Sequence, residues 1–145
     1  MSDRPPGMPL GIFNKNPGNI EKAGGQKWQG LAPKSQQTDP VYCIFSDPVW
    51  GIRAIGVDFQ TMQRRDGLKT LRQMITKWAP PNENDTEAYI ADVARRSGED
   101  PDKPINLLDL NVLKGVVLAI IWHENGQQPY PPGVIDQAMN LLVAG

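Results

Sequence analysis

The chain has 145 residues, with 15 Lys and Arg against 16 Asp and Glu for a formal net charge of -1. That length suits one domain able to bury a core without disulfides or metals, and the charge balance disfavours a basic nucleic-acid binder. A single cysteine, Cys43, excludes an internal disulfide, and a single histidine, His123, excludes a His-rich zinc site.

Residues 1–11 carry Pro5, Pro6, Gly7, Pro9 and Gly11. They read as an extended Pro/Gly-rich arm ahead of a single domain over 12–145. The first residues hold no apolar leader, and the longest apolar run, 116–122, is far shorter than the roughly 20 residues a membrane span needs. The expectation is a soluble chain made in the cytoplasm, without membrane insertion.

Between Phe13 and Phe45, turn signals at Asn16-Pro17-Gly18-Asn19, at 23–25 and at Trp28-Gln29-Gly30 precede Val41-Tyr42-Cys43-Ile44-Phe45. This pattern predicts short strands joined by tight turns. A first helix is expected through Trp50, Ile52, Ile55 and Phe59 to Met62, capped by Ser46 or Asp47 with Pro48 in its first turn. Thr70 caps a second, which carries Leu71, Met74, Ile75 and Trp78 and stops at Pro80-Pro81. A third starts near Asp85-Thr86, places Tyr89, Ile90 and Val93 on one face and ends toward Gly98. The fourth opens at 106–109 and runs to Glu124 before Asn125-Gly126, and a fifth begins near Gly133. No repeat of 20–50 residues is present, which excludes a solenoid.

Glu124 closes the most apolar helix, with Ile121, Ile120 and Val117 at i-3, i-4 and i-7. Partial desolvation and the negative end of the helix dipole both favour the neutral acid. That suits a general acid, because the leaving oxygen of a glycosidic bond must receive a proton as the bond breaks. The competing reading is an exposed helix-end Glu without a role. Glu83 and Asp85 offer a second carboxylate, or else helix-start charge and capping. Trp28, set between Gly-rich turns, is the tryptophan expected to offer a free stacking face. His123 has no nucleophile-elbow Ser or Cys to serve and reads as packing or surface, Cys43 as a small buried hydrophobe. No glycine run cradles a phosphate, so no cofactor is implied.

Four motifs in order, Asn14-Lys15-Asn16-Pro17-Gly18-Asn19-Ile20, Trp28-Gln29-Gly30, Phe45-Ser46-Asp47-Pro48-Val49-Trp50-Gly51-Ile52-Arg53-Ala54 and Trp78-Ala79-Pro80-Pro81-Asn82-Glu83-Asn84-Asp85-Thr86-Glu87-Ala88-Tyr89-Ile90, resemble a phage and prophage family labelled virion structural protein. Some of its members are peptidoglycan-degrading lysins. The resemblance runs from about residue 13 to 130. The same landmarks look like the glucosaminidase branch of the lysozyme superfamily, and Glu124-Asn125-Gly126-Gln127-Gln128-Pro129 resembles the Glu-Ser-x-x-x-Pro segment of lytic transglycosylases, with Asn125 in place of Ser.

The resemblance implies an α+β, mainly helical, lysozyme-like fold with a small β-hairpin region, circularly permuted because the acid-bearing helix comes late in the chain. It sets Glu124 beside the 14–20 segment and implies cleavage of the peptidoglycan glycan strand, with Glu124 as general acid and base and no metal. Asn16, Asn19, Trp28, Tyr89, Asn125 and Tyr130 are the implied substrate contacts. A lone essential Glu124 favours a lytic transglycosylase, while an essential Glu83 or Asp85 favours hydrolysis. Delivery to the wall by a phage, holin or secretion system is implied, with virion or secretion-machine components or an immunity protein as partners. The rivals are a non-catalytic virion or wall-binding protein and a secreted antibacterial effector.

Overall fold

A computed structural model of the chain describes residues 3–22 and 27–144. The turn expected at 23–25 lies outside them. The helices are α1 (Leu10–Phe13), α2 (Pro48–Arg64), α3 (Leu71–Trp78), α4 (Thr86–Ser97), α5 (Leu110–Asn125) and α6 (Pro132–Ala144), with a 3-10 turn over Lys34–Gln36.

Each long helix starts and stops where local chemistry requires. Asp47 accepts from Val49 N at 2.9 Å and Pro48 occupies the first turn of α2. Thr70 and Gln73 form a reciprocal capping box at α3. Asp85 caps α4 and Asp109 caps α5, and both helices end on a left-handed glycine, Gly98 at φ 76° and Gly126 at φ 69°. The cap at Asp109 starts α5 at Leu110, so 106–109 forms the approach to the helix rather than its first turn.

The apolar faces of α2 to α6 meet in one large core around Ile52, Ile55, Phe59, Leu71, Ile90, Leu113, Val117 and Ile120. In it α5 packs on α4, and α2 packs on α6. A smaller core joins Ile20, Trp28, Cys43 and Phe45 to Ala54 of α2.

Two expectations are corrected. The arm is shorter than residues 1–11, because α1 begins at Leu10, Gly11 is buried, and this turn packs against α5. The strands and hairpin expected between Phe13 and Phe45 are replaced, among the described residues, by isolated bridges at Glu21 with Tyr42 and Leu31 with Phe45. A few backbone bonds such as Ala32 N to Ile44 O at 3.0 Å mark these bridges, and side chains hold neighbouring backbone groups that a longer ladder would pair. Gln37 donates to Ala32 O and Ile44 O at 2.9 and 2.7 Å and accepts from Ile44 N at 3.0 Å. Asp39 accepts from Val41 N and Tyr42 N, each at 2.8 Å. Such local bonds compete directly with sheet formation. The chain is thus mainly helical.

Candidate active site

An open cleft of about 570 Å³ lies where the loop lobe meets the helical body. Gly18, Asn19, Glu21, Trp28 and Tyr42 line one side, Asp58, Thr61 and Met62 of α2 with Arg65 at its C-cap another, and Lys77, Trp78, Glu83 and Asn84 a third. Glu124 enters it from the last turn of α5 and is half-buried.

Both oxygens of Glu124 are held. Asn19 Nδ2 donates to Oε1 at 2.7 Å and Tyr89 Oη donates to Oε2 at 2.6 Å. Tyr89 in turn accepts from Trp78 Nε1 at 3.0 Å. Burial, then the nearby Glu124, hold the Tyr89 phenol well above its ordinary range, so it remains a proton donor to the carboxylate. Its other flank rests on the His123 ring, with centroids 3.8 Å apart, and His123 Nδ1 lies 2.9 Å from Asp92 Oδ2. Three helices and one loop therefore fix a single carboxyl group.

Asn19 reaches Glu124 because the 14–20 segment is tightly folded on itself. Asn16 donates to Ile20 O and Cys43 O at 3.0 and 2.9 Å and accepts from Ile20 N at 3.0 Å. Asn125 donates to Pro17 O at 2.8 Å, tying the loop to the end of α5. Asn19 sits at φ 50°, a left-handed conformation that Asn tolerates better than most residues. Its Oδ1 and that of Asn125, both buried and without a hydrogen bond, face Gly11, where an added Cβ would lie 2.9 and 2.6 Å from them.

The implied contact residues divide into those that face the cleft and those that build it. Asn19 faces it, with Glu83 exposed at its rim. Asn16 is 0% exposed and shapes the loop instead of presenting a surface. Asn125 is likewise buried and serves as the tie just described. Tyr89 is 3% exposed and orients Glu124 from behind rather than walling the cleft. Trp28 borders the cleft, but at 8% exposure it belongs to the smaller core and is no free stacking platform. Tyr130 lies elsewhere, in a cavity of about 150 Å³ with Leu118 and Ile135, where burial pushes its phenol up to about 12. Asp85 is spent on capping α4. Cys43 is a buried free thiol whose ionisation burial opposes.

Trp78, expected on the apolar face of α3, joins the site through Tyr89, and Gly11 and Asp58 join it from outside the predicted site residues. The available signal for Asp58 was a carboxylate in mid-helix, where no cap is needed.

No protein-family model matches the chain. A stretch of 122 residues does align at 37% identity with a phage protein, covering 83% of this chain and 73% of the relative. That relative is "Protein P5" of Pseudoalteromonas phage PM2, and the chain belongs to its family.

Proposed function

We propose that the protein cleaves the glycan strand of peptidoglycan on a circularly permuted lysozyme-like fold, with Glu124 as its general acid and base. The observation that carries this reading is the Glu124 carboxyl group, fixed at both oxygens by Asn19 and Tyr89 and opening into a cleft of about 570 Å³. A general acid must be held within hydrogen-bond reach of the atom it protonates, and a preset orientation lowers the cost of reaching that geometry.

In the reaction, Glu124 transfers its proton to the glycosidic oxygen as the bond to the anomeric carbon breaks. The carboxylate left behind is stabilised by the donors Asn19 Nδ2 and Tyr89 Oη. It then takes a proton from the attacking hydroxyl. If the attacker is water, a reducing end results; if it is the sugar's own 6-hydroxyl, a 1,6-anhydro end results. Membership of a phage protein family supports delivery to the wall by a phage.

The test is loss of turbidity of purified peptidoglycan by wild type and Glu124→Gln, with mass analysis of the products. The variant keeps the shape of the side chain but carries no acidic proton. A rate loss of about a hundredfold or more at unchanged melting temperature is expected. Wild-type clearing by the variant would remove Glu124 from the chemistry.

A further inference from the structure

The cleft extends beyond the held carboxyl group. Asp58, Thr61 and Met62 of α2 and Arg65 at its C-cap line it, and their spacing of i, i+3, i+4 and i+7 forms one stripe about 10 Å long along the helix axis. The stripe begins close to the Asn19 segment. An added Cβ on Gly18, the residue before Asn19, would lie 2.7 Å from Ile55, and Asp58 stands one turn further along α2 than Ile55.

Asp58 is chemically unlike the other aspartates of the helical body. Asp47, Asp85 and Asp109 cap helices, while Asp66, Asp92 and Asp136 pair with cationic side chains. Asp58 is half-buried, yet its carboxyl group forms no hydrogen bond or ion pair within the described residues. Lys77 and Arg65 act on it only at a distance, being themselves paired with Asp66 at 2.6 and 3.3 Å. A desolvated carboxyl group in mid-helix costs stability in helix propensity and lost hydration. The distant charges of Lys77 and Arg65 offset that cost only in part, and a carboxyl group without a partner among the described residues, set inside a cleft, is poised for a ligand.

We infer that Asp58 is a substrate-binding carboxyl group of the cleft, accepting hydrogen bonds from hydroxyl or amide N–H groups of the glycan next to the bond that Glu124 cleaves. The inference rests on the glycan-cleaving reading above. Asp58 would position the sugar chain without transferring a proton, so its loss falls on KM more than on kcat.

The experiment compares wild type with Asp58→Asn for KM and kcat on purified peptidoglycan and for melting temperature at pH 7. In parallel, a chitin tetrasaccharide is titrated calorimetrically into Glu124→Gln with and without Asp58→Asn. The expected result is a KM raised about tenfold or more, as loss of one hydrogen bond to a charged group produces. A matching loss of tetrasaccharide affinity and a melting temperature equal to or above wild type should accompany it. Unchanged KM and affinity, a collapse of kcat at constant KM, or a fall in melting temperature that accounts for the activity loss would each overturn the role. An active wild type with an equally active Asp58→Asn overturns this inference and leaves the proposed function standing. An inactive wild type whose Glu124→Gln variant still binds the tetrasaccharide through Asp58 does the reverse. Absence of both cleavage and binding overturns both.

Discussion

Asn19 and Glu124, 105 residues apart in the chain, are joined by a 2.7 Å hydrogen bond from the amide to the carboxyl group. The bond depends on backbone as much as on side chain, because Asn19 holds φ 50°. Replacing it with Gly removes the amide but keeps access to the left-handed region, whereas Ala removes the amide and strains the turn.

Asn19→Gly and Asn19→Ala should therefore lose similar activity, about tenfold for one hydrogen bond to a charged group. Asn19→Ala should be less stable than Asn19→Gly by roughly 1 kcal/mol. Turnover of purified peptidoglycan and urea midpoints of the two variants check this. Equal stability would mean that the turn carries no strain at this position.

Gly11 supports the same bond from behind. Exchange to Ala inside a helical turn is ordinarily favourable by about 1 kcal/mol. Here the new methyl group would meet Asn125 Oδ1 at 2.6 Å, Asn19 Oδ1 at 2.9 Å and Asn16 O at 3.0 Å. The last is a backbone atom and the first belongs to a side chain tied to Pro17 and Ile121, so neither is free to yield. Overpacking of this kind costs about 1–3 kcal/mol, which outweighs the propensity gain. Gly11→Ala should lower both melting temperature and activity, the latter through displacement of Asn19. A raised melting temperature would show that the packing around Gly11 is looser than this.

The helices were legible because their signals are local. Asp47-Pro48, Thr70 with Gln73, and Gly98 and Gly126 act within a few residues of the ends they define. The lobe over 13–45 was not, because Gln37 satisfies Ala32 and Ile44 at once, and no periodicity encodes a side chain that replaces a strand. Glu124 could be singled out from its helix, and its meeting with the 14–20 segment came from the order of motifs. The donor role of Tyr89 and the tie made by Asn125 to Pro17 are products of tertiary packing, invisible until α4, α5 and the loop are brought together.

Trp28 illustrates the consequence. Flanking glycines suggested an open ring, but the side chain is packed with Ile20, Cys43 and Phe45. Trp28→Ala should cost about 3–5 kcal/mol, as large-to-small changes of buried aromatics do. Its activity loss should track the unfolded fraction in a denaturant series. Full stability with lost glycan affinity would instead restore the stacking role.

The pH dependence of stability should carry the mark of Asp58. Burial pushes its carboxyl group up to about 6, against the lowering pull of Lys77 and Arg65, while the unfolded chain titrates near the ordinary value of about 3.9. A raised pKa means that the folded state holds the proton more tightly. The resulting stabilisation is fully present below about pH 4 and is lost as pH rises through about 6. Asp58→Asn has no such proton to lose. Its stability relative to wild type should therefore increase across that window and level off above it. Urea unfolding of the two proteins at intervals from pH 4 to 8 measures the difference directly. A difference that stays constant with pH would mean that Asp58 titrates as a solvated carboxylate, and a difference of opposite sign would mean that a cation pairs with it in the folded state.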